Sequence, residues 1–319
     1  MLWRFPRIGC GTLFALLGVH QFFFIMKPKQ RSILSSLGAG SGRRTKGIAS
    51  LLLLLSVVVL AAGYASYSLP VRVNNTFQKG EYLRYRVYYN SMLTGNITAG
   101  ELLFSVLDTT RVINGRNTHH VRVIGRTRGV FNLFYKVNDR YETFIDEELL
   151  IPRFFIRRVD EGGHIKRQNV TFFHEHRRAN FVDLQSNRRV AMEVPSDIQD
   201  VLSMIYYART LDLNSAKTGD RFDFNFLIDD TVYTSSLEVL GREVIRTSLG
   251  QIRCVKLRPG LITGDMFSDE YAMELYISDD RNRLPVLMST GVIVGSVKME
   301  LTDYENLVHP FSSLTPRRR

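Results

Sequence analysis

Residues 275–301 read LYISDDRNRLPVLMSTGVIVGSVKMEL, two apolar runs on either side of the charged cluster Asp279-Asp280-Arg281-Asn282-Arg283. Carboxylates beside arginines occur in acid-base active sites and in ordinary tight turns alike. These residues alone do not choose between the two; the chain around them does.

From Gly80 onward, apolar and polar residues alternate with a period of two, rich in aromatic and β-branched side chains and broken by Gly, Asn and Asp clusters. That is the pattern of half-buried strands. It predicts strands over Tyr82–Asn90, Thr98–Asp108, Thr118–Thr127, Tyr135–Ile145, Phe154–Asp160, Ile165–His174, Arg178–Asp183 and Arg189–Val194, with more after Gly219. Turns fall at Asn114-Gly115, Glu161-Gly162-Gly163 and Ser186-Asn187. One segment differs. In PSDIQDVLSMIYYARTL, residues 195–211, Ile198, Val201, Leu202, Ile205 and Ala208 recur at helical spacing. The spacing predicts an amphipathic helix from Asp197 to Thr210, with Ser196 and Gln199 forming a capping box. The expected fold class is all-β, mainly antiparallel.

An internal echo refines this. Gly80 opens the first β run and Gly219 the second; Gly115 follows 35 residues after Gly80 and Gly250 31 after Gly219. Asp146 follows 31 residues after Gly115 and Asp279 29 after Gly250, and each is followed six residues later by a proline, Pro152 and Pro285. Two similar curved β-sheet or half-barrel modules are therefore expected, over 77–194 and 218–305, joined by the helix in 195–213 and followed by a basic disordered tail, 306–319. The echo also assigns Asp146, Pro152, Asp279, Asp280, Arg283 and Pro285 to structural hairpin turns. Aspartate accepts local backbone N–H bonds, and proline fixes φ where the next strand begins.

The formal net charge of the 319 residues is +11, but residues 1–68 hold eight of the 42 cations and none of the 31 acids. The remaining 34 cations face 31 acids, which gives no bulk case for a nucleic-acid partner. Arg43, Arg44 and Lys46 precede GIASLLLLLSVVVLAAGYASYS, an order that reads as an export signal or an N-terminal membrane anchor over 26–68. Residues 1–25 read as a mis-called upstream extension, or as a first membrane helix. The expected location is the periplasm after signal cleavage, or the inner membrane with a periplasmic domain. Cys254 is the one cysteine past the leader and is expected to be a buried apolar residue.

The stretches GEYLRYRVYY, AGELLFSV, FYKVNDRYETFID, DVLSMIYYART and above all residues 275–301 resemble the bacterial domain of unknown function numbered 3108, over roughly Phe77 to Leu301. The resemblance implies exported envelope proteins of antiparallel β architecture and transfers no catalytic residue.

The chain holds no nucleophile elbow, Walker loop, dinucleotide fingerprint or zinc-protease helix. No catalytic residue, metal or cofactor is assigned. His174 and His176, with His164 across a turn, have the types and spacing of metal ligands, but Arg177 and Arg178 beside them would repel a cation. Arg122, Arg126 and Arg128 share a strand face with Lys136 and Arg140 nearby, a stripe able to hold an anionic group. The ligand-binding candidates are accordingly Arg126, Arg128, Tyr135 and Lys136. The expected function is a non-catalytic binding or envelope-assembly protein, holding a lipid or amphiphilic glycan in a concave β groove only partly covered by the helix. An envelope protein partner is a further expectation. The alternatives are an envelope hydrolase using Asp279, Asp280 or Asp139 as acid and base, and a membrane-tethered protein-binding scaffold.

Overall fold

The computed structural model describes residues 69, 71–92, 95–261, 273–291 and 295–316. The expected leader, the upstream segment and the terminal arginines lie outside the described residues. The first run gives β1 (Tyr82–Ser91), β2 (Gly95–Ile113), β3 (Arg116–Thr127), the short α1 (Phe131–Phe134), β4 (Asn138–Asp146), β5 (Pro152–Glu161), β6 (His164–Phe173), β7 (Arg178–Asp183) and β8 (Arg188–Glu193). A connector carries β9 (Gln199–Asp200) and α2 (Ser203–Arg209). The second run gives β10 (Arg221–Ile228), β11 (Thr231–Arg246), β12 (Gly250–Leu261), β13 (Met273–Ser278), β14 (Pro285–Gly291), β15 (Ser296–Glu305) and β16 (Leu314–Pro316).

The protein is mostly β, built on one large sheet in the order β8 through β1, then β15 down to β9, with β16 against β12. All ladders are antiparallel except the short β9–β10 pair. The two runs join where β1 pairs with β15, from Tyr82 opposite Glu305 to Asn90 opposite Ser296. The far ends of the sheet approach each other through side chains: Arg157 on β5 and Gln168 on β6 each donate to Asp229 Oδ1 in the β10–β11 turn at 3.0 Å.

Alternation decides what faces inward. Leu83, Tyr85 and Val87 on β1, Leu102, Phe104 and Val106 on β2, and Val121 and Val123 on β3 are buried on the concave face. Each such side chain contributes about 1.5–3 kcal/mol of burial. On the convex side Ile252, Cys254, Tyr276 and Val286 form a second, smaller core closed by Phe311 and Leu314.

The repeated anchors carry the same backbone bonds. Gly80 N donates to Val106 O and Val106 N to Glu81 O, at 2.8 and 2.9 Å; Gly219 N donates to Val239 O and Val239 N to Asp220 O, at 2.8 and 2.9 Å. Asp146 N donates to Ile151 O and Glu147 N to Asn117 O, just as Ser278 N donates to Leu284 O and Asp279 N to Arg253 O. Pro152 stands opposite Ile145 and Pro285 opposite Ile277, each after a register shift. In backbone terms the counterpart of Asp146 is thus Ser278, one residue before the Asp279 that the spacing selects.

Three expectations are corrected. The helix is shorter than its periodicity, Ser203–Arg209. Asp200 Oδ1 accepts Leu202 N at 2.7 Å and Ser203 N at 2.8 Å, so it takes the capping role expected of Ser196, while Gln199 and Asp200 pair with β10. Residues 135–137 are not strand, because the chain first makes the α1 knuckle. Residues 306–316, expected as disordered, fold back: Leu314–Pro316 pairs with β12, and Asn282 Nδ2 donates to His309 O at 2.9 Å.

Candidate functional site

The connector crosses the concave face. Thr143 on β4 donates to Asp200 Oδ2 at 2.5 Å, and Arg209 pins the helix C-terminus. The Arg209 guanidinium is 1% exposed and bonds both oxygens of the equally buried Glu81, at 2.6 and 2.7 Å, as well as Thr76 O and Asn282 O. The helix covers part of the concave face and leaves a cavity of about 130 Å³ in a cleft whose empty space, open mouth included, is about 1150 Å³. Val201, Leu202, Met204, Ile205 and Ala208 form one wall; residues of β1–β4 and β10–β15 form the rest. Of its 21 lining residues only Tyr85, Tyr141 and Ser235 bear a side-chain O or N atom. The Ser235 hydroxyl is already donated to Gly260 O at 2.6 Å. Four methionines, Met204, Met273, Met288 and Met299, line it, side chains that adapt to irregular guests.

Behind Tyr141 lies a polar layer. The Arg157 guanidinium sits 5.8 Å from the Tyr141 ring centroid and is 4% exposed. Asp139 and Glu161, 1% and 3% exposed, face each other beside it. Burial, and next the Glu161 carboxylate, push the Asp139 carboxyl up to about 8. The Asp160 N–H donates to Asp139 Oδ1 at 3.1 Å. Two carboxyl groups this well sealed can hold the wall together but offer little access to a substrate.

The turn residues lie as follows. Asp280 Oδ1 accepts Ser278 Oγ, Asn282 N and Arg283 N at 2.9, 3.1 and 3.4 Å, and Oδ2 accepts Ser313 N and Oγ at 3.2 and 2.8 Å. Asp279 is partly exposed and pairs with Arg242 at 3.5 Å. Asp146 is 1% exposed; its Oδ1 accepts the N–H groups of Glu148 and Leu149, and its Oδ2 faces Arg116 and Arg153. The Arg116 and Arg153 hydrogen bonds and two backbone N–H bonds outweigh burial and hold its carboxyl down at about 2. Arg283 adopts φ +48 and reaches to 4.0 Å from Asp212. Pro152 and Pro285 open β5 and β14.

The ligand candidates do not gather at the cavity. Val123 lines it, and Arg126, three residues along the same strand, is exposed on the opposite face. Arg128 is exposed and ion-paired with Glu101. Lys136 is exposed, and the Tyr135 hydroxyl donates to Glu161 O at 3.3 Å with its ring against Gly162. His174 sits in a 3-10 turn, its ring nitrogens 2.8 and 2.6 Å from Ser196 O and Pro152 O, so backbone carbonyls close both nitrogens to a metal. Among the described residues no group of three or more His, Cys, Asp or Glu is placed to hold a metal ion. Cys254 is fully buried and its thiol is pushed up to about 12 by burial, which keeps it un-ionised. Sequence reasoning singled out Asp139 but missed Glu161 and Arg157. All three are polar residues at inward positions of strands whose alternation alone does not say which face is buried.

Over residues 84–302 the sequence matches the family described as protein of unknown function (DUF3108). The chain belongs to this family. Among solved structures, the DUF3108 chain is similar to the β-barrel-like protein of domain of unknown function DUF1849 from Brucella abortus, at 10% identity and TM-score 0.47, covering 74% of this chain and 98% of that one. It is also similar to a protein with a YmcC-like fold from Bacteroides fragilis, at 10% identity and TM-score 0.32, covering 72% and 98%. A third is the lipoprotein LppX of Mycobacterium tuberculosis, at 11% identity and TM-score 0.15, covering 82% and 97%. No curated protein matches the sequence. Among the described residues of this DUF3108 protein no helix is long and apolar enough to cross a membrane.

Proposed function

We propose that this DUF3108 protein is an exported, non-catalytic envelope protein that holds the apolar chain of a lipid or amphiphilic glycan between the sheet and α2. One observation carries the reading: the cavity on the concave face is apolar almost throughout, with the Ser235 hydroxyl already engaged and two tyrosines the only other lining residues that bear a polar side-chain atom. A cavity so lined stays dry and accepts apolar guests. Met204, Ile205, Phe224, Pro259 and Leu275 line it while remaining partly exposed, which gives a chain a way in. The matched hydrogen bonds at Gly80 and Gly219, and at Asp146 and Ser278, support two diverged copies of one half-barrel module, each contributing part of the wall. The basic leader supports the periplasm, or the periplasmic face of the inner membrane, as its place of work.

The test is displacement of a fluorescent fatty acid from the purified protein, with Ile205→Trp as the blocking variant. Filling the space of two methylenes removes about 1.6 kcal/mol of burial at ~0.8 kcal/mol each, or about tenfold in affinity. Saturable binding that weakens about tenfold at unchanged melting temperature is expected. Absence of saturable binding, or binding indifferent to Ile205→Trp, rejects the reading.

A further inference from the structure

The loop between β3 and β4 carries its apolar side chains outward. Leu133 and Phe134 are 82% and 83% exposed and Val130 62%, although a four-residue helix, α1, could have turned them in. The neighbouring β1–β2 hairpin adds Met92 at 105% and Ile97 at 38%. The two lie at the same end of the sheet, where Arg128 N donates to Ala99 O at 2.9 Å. Cations flank the tip: Arg126 and Arg128 where β3 leaves, Lys136 and Arg140 where β4 enters, with Arg126 directly opposite Asn138 in the ladder. Arg128 and Arg140 have acidic neighbours, Glu101 and Glu142. Arg126 and Lys136 have no carboxylate within 4 Å among the described residues. Large apolar side chains at a loop tip with a collar of cations match a bilayer surface: rings and Leu enter the acyl boundary while the cations meet phosphate.

We infer that the Gly129–Lys136 tip docks this protein onto an anionic lipid bilayer, with Val130, Leu133 and Phe134 inserted and Arg126 and Lys136 on the headgroup phosphates. A soluble protein partner would also cover an apolar knuckle, but the unpaired cations favour the anionic surface. The inference does not rest on the cavity reading: a protein with a filled or empty cavity docks alike.

The experiment places a reporter at the tip of the full chain. The single tryptophan of the sequence, Trp3, is replaced in a Trp3→Phe background, and Leu133→Trp is compared with Val244→Trp, which is 57% exposed at the opposite end of the sheet. Both are mixed with vesicles of brominated phosphatidylcholine, with and without phosphatidylglycerol. Quenching of the Leu133→Trp probe on phosphatidylglycerol vesicles, with the Val244→Trp probe unquenched, is expected. Arg126→Gln with Lys136→Gln should then weaken partitioning by about 25-fold, about fivefold for each cation removed. Equal quenching at both probes means adsorption through the apolar leader and overturns the inference. So do quenching indifferent to phosphatidylglycerol, and a shift of the Leu133→Trp probe that depends on protein concentration without vesicles, which would assign the tip to a second copy of the chain.

Discussion

Replacing Asp280 by Ala removes the carboxylate that ties the β13–β14 turn to Ser313 of the C-terminal segment and leaves only the Asn282 bonds to His309 and Pro310 between them. The carboxylate accepts five hydrogen bonds, and three of its donors, Asn282 N, Ser313 N and Ser313 Oγ, belong to residues that are fully buried. Each buried N–H left unsatisfied costs roughly 1–3 kcal/mol, so the two orphaned backbone groups give about 3 kcal/mol, allowing for relaxation. At this chain length that lowers the melting temperature by roughly 6–12 °C. Asp280→Asn keeps the Oδ1 acceptor but turns an amide donor toward Ser313, and should cost about half as much. Asp279→Ala, which removes only a partly exposed pair to Arg242, should cost a few tenths of a kcal/mol. Thermal unfolding ranks the three. Hydrogen exchange localises the damage, because Arg253 N donates to Ser313 O at 3.1 Å and its amide should exchange faster in Asp280→Ala alone. A melting temperature within about 2 °C of the parent for Asp280→Ala, or equal losses for the two alanine variants, refutes the structural assignment. If binding or turnover were lost without instability, the cluster would belong to chemistry after all.

Arg209→Met leaves Glu81 buried without its cation and should cost about 3–5 kcal/mol in denaturant unfolding, much of it recovered by adding Glu81→Met; an additive double variant would show that the pair is not coupled. Asp139 has a folded-state pKa of about 8, raised from 3.8, so its protonation favours the fold below about pH 4 and that contribution is lost as pH rises to about 8. Asp139→Asn should therefore flatten the fall of melting temperature across that window, and an unchanged slope counts against the raised Asp139 pKa. Gly162→Ala places a Cβ 2.7 Å from Tyr135 Cε2 at φ +58 and should cost about 1–3 kcal/mol; Tyr135→Ala in the same chain should relieve the clash and leave the smaller backbone share, as read by melting temperature.

Period-two alternation located most of the strands because one face of nearly every strand is buried in this curved sheet. It failed where apolar residues are not buried and where buried residues are not apolar. The strand expected from Tyr135 begins only at Asn138, because the FNLF residues before it turn Leu133 and Phe134 to solvent and the chain leaves that knuckle before it pairs. The helical spacing around Ile198 and Val201 is real burial, both residues being under 5% exposed, but Asp200 offers its side chain to the backbone and delays the helix until Ser203. The tail looked unstructured because its anchors are mostly backbone groups, the carbonyls of His309 and Pro310, the N–H groups of His309 and Ser313 and the β16 ladder, which carry no side-chain signature, and because Phe311 and Leu314 are too few to set a period. The groove was foreseeable from a helix too short to cover a sheet. Its position relative to the arginine stripe was not, since alternation along β3 puts Val123 and Arg126 on opposite faces only once the inward set is known.

At Asp146 and Asp280 the bonding of the carboxylate oxygens distinguishes a turn from an active site. A general acid or base needs a lone pair or proton free to meet substrate. At Asp146 one oxygen caps two backbone N–H groups while the other faces two arginines; at Asp280 both oxygens are filled by the turn and by Ser313. The backbone bonds match at the two places although the side chains do not. At the first turn Asp146 is both the residue whose N–H returns to Ile151 O and the acceptor that caps the turn. At the second, Ser278 supplies the N–H and Asp280, two residues on, supplies the cap. The same backbone bonds are thus made at both turns while the side chain that caps them stands at a different position, an arrangement that needs acceptors at fixed backbone donors and leaves neither carboxylate an open lone pair for a substrate.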